Sequence, residues 1–156
     1  MNTYHLHIEG RVQGVGFRPF IYGLAKNLSL AGTVANTLQG VHIFVNADEE
    51  GIALLTKQIE QKAPAQSIIT SFTCAEVEKR DFVGFQIVES ATAGLTDLLI
   101  TPDFAICQSC KDELRDPNNR RYNYSYITCT VCGPRFSIEQ SLPYDRHRTS
   151  MATFRM

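Results

Sequence analysis

The feature that most constrains the fold is a change of hydrophobic period across one glycine-rich loop. Tyr4, Leu6 and Ile8 alternate with His5, His7 and Glu9, the pattern of a half-buried strand. Phe20, Ile21, Leu24, Ala25 and Leu28 then recur at helical spacing, with Pro19 placed where a helix can start. Between them lies Gly10-Arg-Val-Gln-Gly-Val-Gly-Phe-Arg18. Glycines permit the positive φ angles that turn successive N–H groups inward, and the following helix adds the partial positive charge of its N-terminus. Arg18 supplies a planar fork of donors matched to phosphate oxygens. The loop therefore reads as a phosphate cradle or as an ordinary strand-to-helix turn. It fits neither common nucleotide template: no Gly-Lys-Ser/Thr ends it, and no third glycine follows Gly14 and Gly16 at dinucleotide spacing.

The same periodicities predict the rest of the first ninety residues. Ala31 to Asn36 and Val41 to Asn46 read as two strands joined by the turn Thr37-Leu-Gln-Gly40. Asp48 to Lys62 reads as a second helix, with acidic residues at its start, Ile52, Leu55 and Ile59 on one face, and Pro64 beyond its end. Ile68, Ile69, Phe72, Val77, Phe82, Phe85, Ile87 and Val88 supply one or two further strands. The order is β-α-β-β-α-β, an α+β, ferredoxin-like arrangement with an antiparallel sheet and both helices on one face.

The remaining residues are organised by cysteine. Cys107-x-x-Cys110 and Cys129-x-x-Cys132 are separated by eighteen residues, a spacing that can close a tetrahedral thiolate site for structural zinc. Two disulfides, or free structural thiols, are the alternatives. Met1 to Glu9 has neither a basic start nor a continuous apolar core, so no secretory signal is expected; nor is any apolar stretch long enough to span a membrane. A cytoplasmic location follows as an expectation, and reduced paired cysteines there favour metal over disulfides. Cys74, alone in an apolar run, reads as a buried bystander.

Ser90 to Thr96, rich in small residues, reads as a linker. The expected division is residues 1–90, a linker at 91–99, and a four-cysteine, zinc-finger-like segment at 100–156 too small and polar to fold around apolar residues alone. Charge is nearly balanced. Residues 1–90 hold seven Lys/Arg and nine Asp/Glu, and the rest hold eight and seven, so neither part is a polybasic nucleic-acid binder. Arg120, Arg121, Arg135, Arg146 and Arg148, interleaved with Tyr122, Tyr124, Tyr126 and Tyr144, read as a solvated face, a single-strand-binding patch or a docking surface, with docking favoured.

Residues 3–90 resemble the acylphosphatase family. Their Gly10–Arg18 loop is similar to that family's signature, and Ala31-Gly-Thr-Val-Ala-Asn-Thr-Leu-Gln-Gly-Val41 to its second one. The resemblance implies that Arg18 binds phosphate and that Asn36 positions the attacking water. The amides of Gln13, Gly14, Val15, Gly16 and Phe17, with that of Arg18, would complete the cradle. An acyl or carbamoyl phosphate already carries a good leaving group, so its hydrolysis needs charge stabilisation and an oriented water. An asparagine amide is too weak a base to deprotonate that water, which leaves the substrate's phosphate oxygens as proton acceptor. His5 and His7 fall on the opposite strand face from Leu6 and Ile8 and read as solvated.

Three further segments resemble the first zinc finger of the HypF carbamoyltransferase family, which acts in the maturation of nickel–iron hydrogenases. They are Cys107-x-x-Cys-x-x-Glu-Leu-x-Asp-Pro-x-x-Arg-Arg-Tyr122, Cys129-Thr-x-Cys-Gly-Pro-Arg-Phe-Ser-Ile138 and Leu142-Pro-Tyr-Asp-Arg146. Ser125 departs from that family's usual proline. The family pattern continues into a second finger, a nucleotide-using domain and a transfer domain, so full carbamoyl transfer is not expected from these residues alone. The resemblance implies hydrolysis of carbamoyl phosphate or another acyl phosphate, with later domains of the same protein and a hydrogenase-maturation protein as partners. The alternative is an idle phosphate loop joined to a zinc ribbon that binds nucleic acid or a protein. In the two-module reading, phosphate release survives loss of zinc.

Overall fold

The structure, a computed structural model, describes residues 1–90, 99–129, 131–133 and 136–154. Strand β1 (Asn2–Arg11) turns Leu6 and Ile8 into the core and His5, His7 and Glu9 to the other face. Helix α1 (Phe17–Asn27) follows directly from the glycine loop and buries Phe17, Ile21, Leu24 and Ala25. Pro19 lies in its first turn, where its missing N–H costs no helical bond. Strands β2 (Ala31–Thr37) and β3 (Gly40–Ala47) form a hairpin. Helix α2 (Glu49–Lys62) is capped by Asp48, whose carboxylate accepts from Gly51 N at 2.8 Å, and buries Ile52, Leu55 and Ile59.

Strand β4 (Ile68–Val77) and the short β5 (Phe85–Ile87) complete a sheet in the order β4-β1-β3-β2-β5. The α+β, ferredoxin-like order is the expected one, with one correction. β5 runs parallel to β2, pairing Gly32 with Phe85 and Val34 with Ile87, so the sheet is mixed. Helix α1 packs on β2 and β5 and against α2, while α2 packs on β3, so one face is covered and the other left open.

On the open face the histidines are not simply solvated. His5 Nε2 and His42 Nδ1 share a hydrogen bond of 2.8 Å, His7 stacks on His42, and Phe44 stacks on His5. Cys74 is exposed, not buried, because its strand β4 is an edge of the sheet.

Beyond residue 99, helix α3 (Gln108–Arg115) carries Cys110, and Cys107 stands at its N-cap position. Cys110, Ile127 and Cys132 form a small buried cluster, flanked by Ile106, Leu114 and Tyr124. A loop over residues 139–149 is closed at its base by the Glu139–Thr149 bridge and by Gln140 N donating to Arg148 O at 2.9 Å. The linker expected at 91–99 falls, except for Leu99, outside the described residues, as does Arg135. Among the described residues no helix is long and apolar enough to cross a membrane.

Candidate functional site

The glycine loop has the conformation its composition predicts. Gly14 and Gly16 take φ of 70° and 78°, in the left-handed region that other residues enter only with strain. Val15 and Phe17 drive their side chains into the core, at 0% and 1% exposure. This pins the loop from below and leaves its backbone to do the polar work. Helix α1 begins at Phe17, so the amides of Phe17 and Arg18 lack helical partners, and the helix dipole favours negative charge there. Gln13 is buried and ties the loop to the β2–β3 turn, donating from Nε2 to Thr37 O at 2.7 Å and Gly40 O at 3.0 Å.

Arg18 and Asn36 come from different elements and converge. Asn36 lies near the end of β2 with 1% exposure, on the same face as Val34. Its Nδ2 donates to the Tyr144 carbonyl at 3.3 Å, and Arg18 Nη2 donates to that same oxygen at 3.1 Å. The Asn36 Oδ1 is buried and makes no hydrogen bond. A buried carbonyl oxygen left unpaired costs about 1–3 kcal/mol, so it marks a place where a donor belongs. Arg18 also pairs with Asp145 Oδ1 at 2.8 Å and donates to Ser90 Oγ at 3.3 Å. Arg18 and Asn36 both line a cavity of about 640 Å³, lined also by Tyr126, Cys129, Met151 and Phe154. His5 and His7 are not among its lining residues.

The four cysteines form the second candidate centre. Cys107 and Cys129 are 3.7 Å apart at sulfur, Cys110 and Cys132 3.7 Å, and Cys129 and Cys132 3.8 Å. A disulfide needs about 2.05 Å. Four sulfurs each about 2.3 Å from a central zinc stand about 3.75 Å apart, so the spacing fits a closed tetrahedral site. All four ligand atoms lie within 4.8 Å of one another. Burial pushes the Cys110 thiol far up, and hydrogen bonds with neighbouring sulfurs add to this. Burial acts the same way on Cys132, but the Cys107 and Cys129 amides and the Thr128 hydroxyl bring it down to about 6. Such a set holds its thiolates together only with a compensating cation.

The two centres touch. Gly133, φ 62°, follows the second knuckle and presses on the glycine loop so closely that a Cβ there would stand 2.1 Å from Gly14 O. Thr101 Oγ1 donates to Gln13 O at 2.8 Å, and Tyr144 N to Gln13 Oε1 at 3.1 Å. Sequence reasoning placed Tyr144 and Arg146 in a surface patch and assigned Asp145 nothing. Arg121 of that patch is spent on Glu113 at 2.6 Å, and Arg148 on Leu142 O at 2.7 Å. The available signal was the segment Leu142–Arg146 itself, singled out for its pattern without a role.

Comparison with known proteins covers nearly the whole chain. The acylphosphatase family model matches residues 4–87, and the HypF finger model residues 106–139. The chain is 42% identical to the carbamoyltransferase HypF of Synechocystis sp. over 155 residues, 99% of this chain and 20% of that protein. It is 37% identical to an acylphosphatase of Staphylococcus aureus over 78 residues, 50% of this chain and 88% of that one. A crystal structure of full-length HypF in its phosphate- and nucleotide-bound form superposes with a TM-score of 0.93, at 41% identity, over 99% of this chain and 20% of that chain. The chain thus spans about a fifth of the length of the HypF relatives it matches.

Proposed function

This chain belongs to the acylphosphatase family, with a HypF-type finger after the family domain, and on that premise we propose that it hydrolyses carbamoyl phosphate or a related acyl phosphate. The observation that carries the reading is the convergence of Arg18 and Asn36 on one oxygen beside a positive-φ glycine loop. The loop amides of residues 13–18 and the Arg18 guanidinium hold the phosphoryl oxygens. Asn36 Oδ1 accepts a hydrogen bond from water and aims it at phosphorus. The new bond joins water oxygen to phosphorus, and the bond from phosphorus to the acyl oxygen breaks. The carboxylate or carbamate leaves with the bonding electrons, and the water's proton passes to a phosphate oxygen.

Cys107, Cys110, Cys129 and Cys132 hold one zinc ion, with no ligand position open for chemistry. Zinc supplies folding energy to that half. The likeness to HypF supports reading this as the first part of a cytoplasmic carbamoyltransferase that passes its product to later domains and on to a hydrogenase-maturation partner. Nucleic acid is not the ligand this reading favours: Arg121 and Arg148 of the arginine–tyrosine patch make internal contacts, with Glu113 and with the Leu142 carbonyl.

The test is release of inorganic phosphate from carbamoyl phosphate and acetyl phosphate. Arg18→Ala should weaken substrate binding and turnover together. Asn36→Ala should mainly lower turnover, by roughly a hundredfold or more. Wild-type rates in both variants would end the assignment.

A further inference from the structure

The loop Leu142–Arg146 reaches the phosphate site from the four-cysteine half and touches both proposed catalytic side chains. Asp145 Oδ1 pairs with Arg18 Nη2 at 2.8 Å, and the Tyr144 carbonyl accepts from Arg18 Nη2 and Asn36 Nδ2. The pair is sheltered, with side-chain exposures of 20% for Arg18 and 14% for Asp145. We infer that this strap is a working part of the phosphate site, with Asp145 as the positioning residue of Arg18 and the Tyr144 carbonyl as that of the Asn36 amide. The inference rests on the roles assigned above to Arg18 and Asn36.

The physical argument begins with Arg18 itself. Its side chain ends on a long, rotatable stem, and ordering such a chain costs rotamer entropy. A carboxylate already in contact with one terminal nitrogen makes that ordering a property of the protein, not a cost met on substrate binding. The second contact, Nη1 to Ser90 Oγ, fixes the plane of the guanidinium from another direction. For Asn36 the issue is which end of the amide faces the chemistry. Its Nδ2 is committed to the Tyr144 carbonyl, so the unpaired Oδ1 is the atom left to take a hydrogen from water. An Asn36 amide turned the other way would donate to the water oxygen and tie up the lone pair needed for attack.

The strap is itself held firmly. Its base is the Glu139–Thr149 bridge, its interior carries the Arg148 Nη1 to Leu142 O bond of 2.7 Å, and Tyr144 N anchors on Gln13 Oε1. Tyr144 is more than half buried, and burial pushes its hydroxyl up to about 12, so the ring stays neutral and seated. The strap therefore reports to the loop through Gln13 as well as to the two side chains. No local sequence period encodes this: Asp145 lies 127 residues from Arg18 along the chain.

The experiment is a kinetic double-mutant cycle on the whole chain, with carbamoyl phosphate as substrate and inorganic phosphate as the binding probe. Asp145→Ala should lower kcat/KM by roughly ten- to a hundredfold and weaken inorganic phosphate to a similar degree. Asp145→Asn, which keeps an acceptor oxygen, should recover part of the loss. In an Arg18→Lys background, Asp145→Ala should add little, because the geometry it enforces is already gone. Zinc content and melting temperature certify that each variant is folded. Equal losses in both backgrounds, or no loss in either, would overturn the positioning role. A gain in activity with tighter phosphate would overturn it too, by showing that Asp145 competes with substrate for the arginine. Failure of the underlying reading looks different, since Arg18→Ala alone would then leave hydrolysis intact.

Discussion

Residues 1–90 close on a core of seventeen buried side chains running from Leu6 to Phe85, whereas the described residues beyond 99 gather only Cys110, Ile127 and Cys132 in theirs. Each fully buried Leu, Ile, Val or Phe is worth roughly 1.5–3 kcal/mol of transfer free energy, so the first half can offset its chain entropy by burial. The second half cannot. Two of those three side chains are metal-spaced cysteines, so under the proposed function a metal would substitute for a core there. A separate core is nevertheless not a separate site. The half with the poorer core supplies Tyr144 and Asp145 to the site of the half with the better one.

Removing zinc is the strongest way to break that comparison. A strong chelator, or acid that protonates the thiolates, should release one equivalent of metal per chain and loosen residues 100–154. The sheet half should keep its amide protection, because its core does not pass through the cysteines. Sequence reasoning alone expected phosphate release to survive this treatment. The contacts of Gly133 with Gly14, Thr101 with Gln13, and Asp145 with Arg18 now lead us to expect a loss of about tenfold or more. Full activity without metal, with the second half unfolded, would restore the picture of two separate modules. Loss of protection in the sheet half as well would mean the chain folds as one unit.

Leu55→Ala sharpens the comparison from the other side. Leu55 is fully buried on α2, and emptying its volume should cost about 2–5 kcal/mol of global stability. Zinc stoichiometry should stay at one per chain at temperatures where the variant remains folded. A Leu55→Ala chain that lost its metal along with its stability would tie the two halves together energetically.

What was legible in the sequence follows the range of the interactions. The alternation of Leu6 and Ile8, the helical spacing of Ile21, Leu24 and Ala25, and the acidic start of the second helix are local, and each corresponds to an element. The cysteine spacing is semi-local and placed the four sulfurs in one group. Strand β5 was only half visible, since three residues pairing in parallel with β2 leave no periodic trace of their own. Cys74 was misplaced because an apolar run does not say whether its strand is central or at an edge. The strap's place at the site escaped notice for the same kind of reason. Its Tyr and Arg residues look like surface, and only the folded chain reveals that Tyr144 and Asp145 point back at residues more than a hundred positions earlier.

The smallest expected effect is on the open face of the sheet, where the first half responds to acid without any metal. His42 is lowered to about 4 by burial first, then by the neighbouring His7 and His5; His5 is lowered by burial, His7 and Arg80. Among the described residues, Glu9, 3.6 Å from His7, is the carboxylate paired with the trio. A histidine whose folded value lies below its unfolded 6.5 binds fewer protons in the native state. Its contribution to stability is therefore complete above pH 6.5 and is lost as the pH falls from 6.5 towards about 4. His42 is only half sheltered, so solvent screening keeps the effect small, a few degrees in melting temperature at most. His42→Phe retains a flat ring against His7 but cannot titrate, and should flatten the decline across this window. The cysteines also fail in acid, so melting must be followed by signals from residues 1–90 while zinc release is read separately. If His42→Phe melted with the same pH dependence as the parent chain, the histidine face would not be the acid-sensitive element of this half.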